Sequence, residues 1–179
     1  TTNASGAYSY GTLPPSNGSG YTVTETQPAS HLPGKTTAGT ASGSGSIAGS
    51  VPSLYGNVIQ AVVLGSNGAS SNNNFGELAP ASIAGAVFID ANTNAAKEGG
   101  ETTGVSGVTL TLTGTDDQGN SVNTTTTSGV AGAYSFTNLR PGTYTVTETL
   151  LPGLTHTGAQ AGSLGGSGQA AGTAMPGAG

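Results

Sequence analysis

The 179-residue sequence predicts an all-β protein, most simply a sandwich of two sheets. Three observations predict it. Apolar residues recur with a period of two, as in Val108-Thr109-Leu110-Thr111-Leu112-Thr113, which sets leucines on one strand face and threonines on the other. No segment carries a sustained stripe of period 3.6. The chain also repeats itself. Gly6-Ala7-Tyr8-Ser9-Tyr10 returns as Gly132-Ala133-Tyr134-Ser135-Phe136, an offset of 126 (132 − 6), and Tyr21-Thr22-Val23-Thr24-Glu25-Thr26 returns as Tyr144-Thr145-Val146-Thr147-Glu148-Thr149, an offset of 123 (144 − 21).

Taken in order, the first elements read as the end of one repeat. Residues 21–26 alternate Tyr and Val with Thr, a half-buried strand. Residues 28–50 are rich in Gly, Ser, Ala and Thr, which fits a flexible linker or an extended chain ordered by packing against a neighbour. The same small-residue pattern returns 123 residues later, favouring the ordered reading, since a spacer needs only length. Residues 57–64 and 74–78 read as strands joined by an Asn/Ser/Gly loop, so that 57–78 closes the unit. The next unit opens with a strand at 82–90 and continues through 108–113, 123–127, 133–136 and 143–149. Asp116-Asp117-Gln118-Gly119-Asn120 and Pro141-Gly142 supply turns. The expected organisation is therefore 1–79 as the later part of one repeat, 81–152 as a sandwich domain, and 153–179 as a Gly/Ala/Ser-rich extended segment equivalent to 28–50. The inner face of 81–152 should hold Val87, Ile89, Val108, Leu110, Leu112, Tyr134, Phe136, Tyr144 and Val146. The chain reads as one period plus about 50 residues of the next, starting and stopping within a unit.

Composition removes several function classes. Only 6% of the residues are charged, against roughly 25% in an ordinary domain. Three basic residues against eight acidic ones cannot form the basic stripe that nucleic acid or an anionic membrane surface requires. No apolar run approaches the roughly 20 residues of a membrane-spanning helix, so membrane insertion is not expected. Zero cysteines exclude a disulfide scaffold and a thiolate metal site. No Gly-x-Ser-x-Gly elbow, phosphate loop or paired catalytic carboxylates stand out, and His31 and His156 are explained by repeat equivalence. The sequence predicts no catalytic residues and no enzyme.

One segment does carry chemistry. Residues 90–101 read Asp90-Ala91-Asn92-Thr93-Asn94-Ala95-Ala96-Lys97-Glu98-Gly99-Gly100-Glu101. Side-chain oxygens fall at positions 1, 3, 5, 9 and 12, the ligand spacing of a calcium loop, with the Ala96 carbonyl at position 7. Asp90, Asn92, Asn94, Ala96, Glu98 and Glu101 are thus the candidate ligands of one structural Ca²⁺. Position 6, where a glycine serves the sharp turn, is Ala95. No helical pattern flanks the loop, so a helix–loop–helix sensor is not implied.

Val87-Phe88-Ile89-Asp90-Ala91-Asn92-Thr93-Asn94, 107–113, Gly132-Ala133-Tyr134-Ser135-Phe136 and 139–149 together resemble the B-type repeat of bacterial serine-aspartate-repeat surface proteins. That family is similar to the collagen-adhesin B-type domains. The resemblance implies an immunoglobulin-like or prealbumin-like Greek-key β-sandwich, secreted to the cell surface or outside the cell and rigidified by calcium. Ser128 and Gly129 stand where family members often carry Asp, so a further calcium ligand is not expected there. Related domains use an acid at the Glu148 position to promote a Lys–Asn crosslink. Residues 82–90 contain no lysine and Lys97 lies inside the loop, so no crosslink is expected. The expected function is a structural repeat of a bacterial surface or extracellular filament. Its partner would be itself, head to tail, as a homopolymer or a tandem array. A ligand-binding adhesin module, engaging an extracellular ligand or surface, is the alternative. Its marks would be a pocket or exposed aromatics near residues 137–143 or the Asn72–Asn74 loop.

Overall fold

The computed structural model describes residues 1–162; the remainder of the expected 153–179 segment lies outside the described residues. The chain divides into two compact units, Thr1–Ala79 and a second beginning at Pro80. Among the described residues the regular structure is β-strand, with a single 3₁₀ turn at Val130–Gly132. No helix among them is long and apolar enough to cross a membrane.

In the first unit six strands form three antiparallel pairs. β1 (Tyr21–Thr24) pairs with β4 (Val58–Val62), β2 (Leu32–Thr37) with β6 (Asn74–Leu78), and β3 (Thr40–Ser42) with β5 (Ala69–Ser71). The small-residue stretch 28–50 is therefore ordered in part, which removes the flexible-linker reading. Its β2 and β3 are held by backbone ladders rather than by large side chains. Thr36 is buried and its hydroxyl donates to the Gly56 carbonyl, satisfying a polar group that would otherwise be costly to bury. The buried apolar side chains here are Ile59 and Val62, both from β4. Residues 7–13 repeat the strand sequence of the second unit but lie in no strand.

The second unit is a sandwich. One sheet runs β11-β8-β9, from β8 (Thr109–Asp116), β9 (Ser121–Thr127) and β11 (Gly142–Thr149); the other pairs β7 (Ala81–Ala86) with β10 (Ala133–Leu139). Between them lies a core of Val108, Leu110, Leu112, Phe136 and Leu139, flanked by half-buried Ile83, Val87, Tyr134, Tyr144 and Val146. The alternation in β8 sets this directly, because residues 110 and 112 face in while 113 and 115 face water. The register places Thr143, Thr145, Thr147 and Thr149 of β11 opposite Thr115, Thr113, Thr111 and Thr109. A hydroxyl-covered outer face results.

Two expectations need correction. The strand expected over 82–90 ends at Ala86, and Ile89, expected in the core, is 41% exposed. Leu139, which was not expected there, is buried. The connection between β8 and β9 is the expected turn: Asp116 Oδ1 accepts from the N–H groups of Gln118 (2.9 Å) and Asn120 (2.8 Å), and Gly119 takes φ +82°.

Candidate metal centre

The loop 90–101 leaves β7 through a short neck. Val87 donates to the Gly132 carbonyl (2.9 Å), Ile89 to Thr103 (2.9 Å) and Val105 to Val87 (2.9 Å), while Phe88 bridges Gly104. Gly132 must be glycine: its φ is +72°, and a Cβ would fall 1.8 Å from the Val87 carbonyl oxygen. This accounts for the glycine of the repeated Gly-Ala-Tyr-Ser motif.

Within the loop the acidic and amide side chains turn inward onto the backbone. Asp90 Oδ2 accepts from Ala95 N–H (2.9 Å) and Oδ1 from Asn94 N–H (3.3 Å). Asn92 Oδ1 accepts from Asn94 N–H (3.1 Å), and Asn94 Oδ1 from Ala96 N–H (2.8 Å). Glu98 receives the side-chain amides of Asn92 (3.0 Å) and Asn94 (2.9 Å). Glu101 is 7% exposed; one carboxylate oxygen takes Ala91 N–H (2.9 Å) and the other takes Glu98 N–H (3.1 Å). Lys97 Nζ donates to the Glu101 carbonyl (3.0 Å). Thr93 and Ala95 both take φ +62°. Desolvation pushes the Asp90 carboxyl up. Hydrogen bonds from Ala95 N–H, the Thr157 side chain and the N–H groups of Thr93 and Asn94 outweigh it and hold the group below the ordinary carboxylate range.

The structure thus brings Asn92, Asn94 and Glu98 into one hydrogen-bonded group and places Glu101 at the base of the loop. Asp90 joins that group through Asn94 N–H, and Glu101 is tied to it through Glu98 N–H. No three carboxylate or histidine groups converge as a ready-made metal cluster among the described residues. Against a hard cation the donors fit in kind: all are oxygens, and Ala95 has the left-handed turn that position 6 of such a loop requires. The Thr157 contact with Asp90 was not legible in the loop itself. Nor was the part played by Ser128, which is 3% exposed, accepts from Val108 N–H (2.9 Å) and donates to the Val105 carbonyl (2.8 Å). It fastens the strand leaving the loop to the end of β9.

A second feature lies in the first unit. A cleft of about 1270 Å³ is lined by Tyr8, Tyr10, Tyr21, Val23, Phe75 and the Asn72–Asn74 loop, among others. Tyr8 meets Tyr10 edge-on at 6.0 Å between ring centroids and lies 6.3 Å from Phe75, and its hydroxyl donates to the Asn73 carbonyl (2.6 Å). At one end Glu25 is pushed above the ordinary carboxylate value, by burial and then by the neighbouring Glu77 carboxyl. In the second unit the equivalent Glu148 is raised by burial, with His156 Nε2 at 4.0 Å opposing the shift.

A two-sheet all-β sandwich with a hydroxyl-covered outer face and a tethered acidic loop defines an immunoglobulin-like repeat module of the kind found in bacterial surface proteins. Comparison with protein families makes the assignment. The SdrD B-like domain matches residues 81–172, a little over half the sequence, and the chain belongs to that family. The family consists of structural, adhesin-type repeat domains of surface proteins and is not an enzyme family. In comparisons with curated proteins and with solved structures, nothing matched.

Proposed function

We propose that the chain is a calcium-rigidified structural repeat of a bacterial cell-surface or extracellular filament, arrayed head to tail with units like itself. The loop 90–101 carries this reading. Its five oxygen-bearing side chains alternate at calcium-ligand spacing, and its neck is laddered into the sandwich, so an ion held there would lock the β7 end to the strand entering β8. Asp90, Asn92, Asn94, Glu98 and Glu101 would hold it with the Ala96 carbonyl. Bound calcium supplies the positive charge that lets three carboxylates share one small loop. The low net charge of −5 and the threonine-covered sheet suit close packing of identical units. Calorimetric titration with calcium tests the reading. Heat of binding and a rise in melting temperature are expected, and the absence of both would remove calcium from the proposal.

The cleft of the first unit supports a second reading, an adhesin module that takes an extracellular ligand. Tyr10 is 59% exposed beside Tyr8 and the Asn72–Asn74 loop, which is where aromatic and amide groups would meet a ligand. Saturable binding of a surface glycan or protein, lost in Tyr10→Ala, would favour it.

A further inference from the structure

Loop 90–101 carries three carboxylates, Asp90, Glu98 and Glu101, and one ammonium, Lys97, which leaves it at a formal charge of −2. The structure gives that ammonium a fixed place. Lys97 Nζ donates to the Glu101 backbone carbonyl (3.0 Å) and lies 6.0 Å from the centroid of the Phe88 ring, within reach of a cation–π contact. Both partners belong to the base of the loop. Phe88 bridges Gly104 in the neck, and Glu101 is buried with its carboxylate on the N–H groups of Ala91 and Glu98. The neighbouring Glu98 side chain receives the amides of Asn92 and Asn94 instead. The carboxylates are thus held by N–H groups and amides, while the ammonium is held by a carbonyl and a ring.

We infer that Lys97 is the affinity-setting residue of the proposed calcium loop: its tethered charge braces the base of the loop when no ion is bound and holds down the affinity for calcium. The inference rests on the calcium reading above and adds what tunes it. Oxygen-ligand calcium loops range from about 10⁻⁹–10⁻⁸ M in buffers to about 10⁻⁴–10⁻³ M in extracellular modules, according to charge count and rigidity. Here both levers meet in one side chain. As a brace, Lys97 ties position 8 of the loop to the backbone of position 12 without using an ion. As a charge, it is fastened to the residue whose carboxylate would close the calcium shell. It takes no ligand oxygen, because the Glu101 carbonyl is not among the candidate donors. Its action on the ion is therefore repulsion through space. Even in bulk water, a divalent and a unit charge roughly 7 Å apart repel enough to shift a Kd about sevenfold. A lysine that only braced the fold would favour both the empty and the filled loop. One that braces and repels favours the empty loop and opposes the filled one, so the two effects of removing it have opposite signs.

The test compares the full 179-residue chain with two variants. Lys97→Met keeps an unbranched stem and removes the charge and the donor, whereas Lys97→Arg keeps the charge. In chelator, the melting temperature should fall by a few degrees in Lys97→Met and stay near that of the unaltered chain in Lys97→Arg. Calorimetric titration with calcium chloride at low ionic strength should show Lys97→Met binding about five- to tenfold more tightly, and Lys97→Arg within about twofold of the unaltered chain. The advantage of Lys97→Met should shrink as salt is added, because exposed charges are screened. Lys97→Met binding no more tightly than the unaltered chain, Lys97→Arg matching the gain of Lys97→Met, or an unchanged melt in chelator would overturn the inference. Calcium heat with equal affinities removes the tuning role alone. No calcium heat in any of the three proteins removes the calcium reading and this inference with it.

Discussion

Truncating Leu112 to alanine is the sharpest probe of the sandwich. The side chain is fully buried at the centre of the core with Val108, Leu110, Phe136 and Leu139. It sits on the middle strand, opposite Val146 of β11 and Thr124 of β9. Leu→Ala in a core costs about 2–5 kcal/mol, with the upper part of that range where the surroundings cannot collapse into the space. β8 is hydrogen-bonded along both edges, so its backbone is not free to move inward, and we expect about 3–5 kcal/mol. Against a total stability of about 5–15 kcal/mol this is a large fraction. With a urea slope of about 1–3 kcal/mol/M, the midpoint should fall by at least about 1 M. The next residue, Thr113, points to solvent, and Thr113→Val should change stability by no more than about 0.5 kcal/mol. Urea titration followed by tyrosine fluorescence at fixed calcium reads both. A near-neutral Leu112→Ala beside a costly Thr113→Val would mean the strand is slipped by one residue, and the assignment of faces would fall.

Other expectations are open to direct measurement. Ala95→Gly should raise stability by about 0.5–1 kcal/mol, because left-handed backbone costs a non-glycine residue about 1–2 kcal/mol and glycine returns only part of that in chain entropy; a lower melting temperature would contradict the turn geometry. Glu101→Gln should weaken calcium binding by about tenfold or more in calorimetry, since the position-12 carboxylate closes such a shell with both oxygens; unchanged affinity would exclude Glu101 as a ligand. Ser128→Ala should cost about 1–3 kcal/mol in denaturant unfolding, because it leaves the Val108 N–H and Val105 carbonyl without their partner. The raised Glu148 means that the folded state holds this proton more tightly than the unfolded chain does. Its contribution should therefore be lost as pH climbs from the ordinary glutamate value through the raised one, and be flat above. Melting curves across that window should lose this slope in Glu148→Gln, and an unchanged slope would assign it to other groups.

Sequence legibility followed side-chain size and ladder regularity. In β8 the alternation of Leu and Thr states which face is buried, and the structure agrees residue by residue. Leu139 escaped because a bulge lies between Phe136 and Leu139, with Asn138 at φ +57°. The extra residue turns positions three apart onto the same face, which a period of two cannot show. Ile59 and Val62 are the same case, with Ala61 at φ +56° between them. Ile89 erred in the other direction: the β7–β10 ladder gives way at Val87 to the loop neck, and the alternation continues in the sequence after the sheet has ended. β2 and β3 were indistinct because Gly, Ser, Ala and Thr carry too little hydrophobic contrast to mark a face. For the loop, the order of oxygen-bearing residues is a local property and was readable from spacing. Its brace from Thr157 and the clamp at Ser128 join residues tens of positions apart, and spacing carries no trace of them.

The bond from Lys97 to the Glu101 carbonyl also bears on durability. A protease that cuts after lysine or arginine meets only three such residues in this chain: Lys35, Lys97 and Arg140. Arg140 precedes Pro141, a peptide bond such enzymes cleave poorly, and Lys35 lies in β2 at the bulge between Pro33 and Thr36. The bond after Lys97 lies in the loop for which calcium is proposed. Chelation should turn a resistant chain into one clipped at this position, and trypsin digestion with and without calcium, read by mass spectrometry, would show it. Equal digestion in both conditions would separate the loop's order from the ion. An ion bound as proposed would then protect this peptide bond as well as order the loop, and a drop in external calcium would expose the chain to cleavage there.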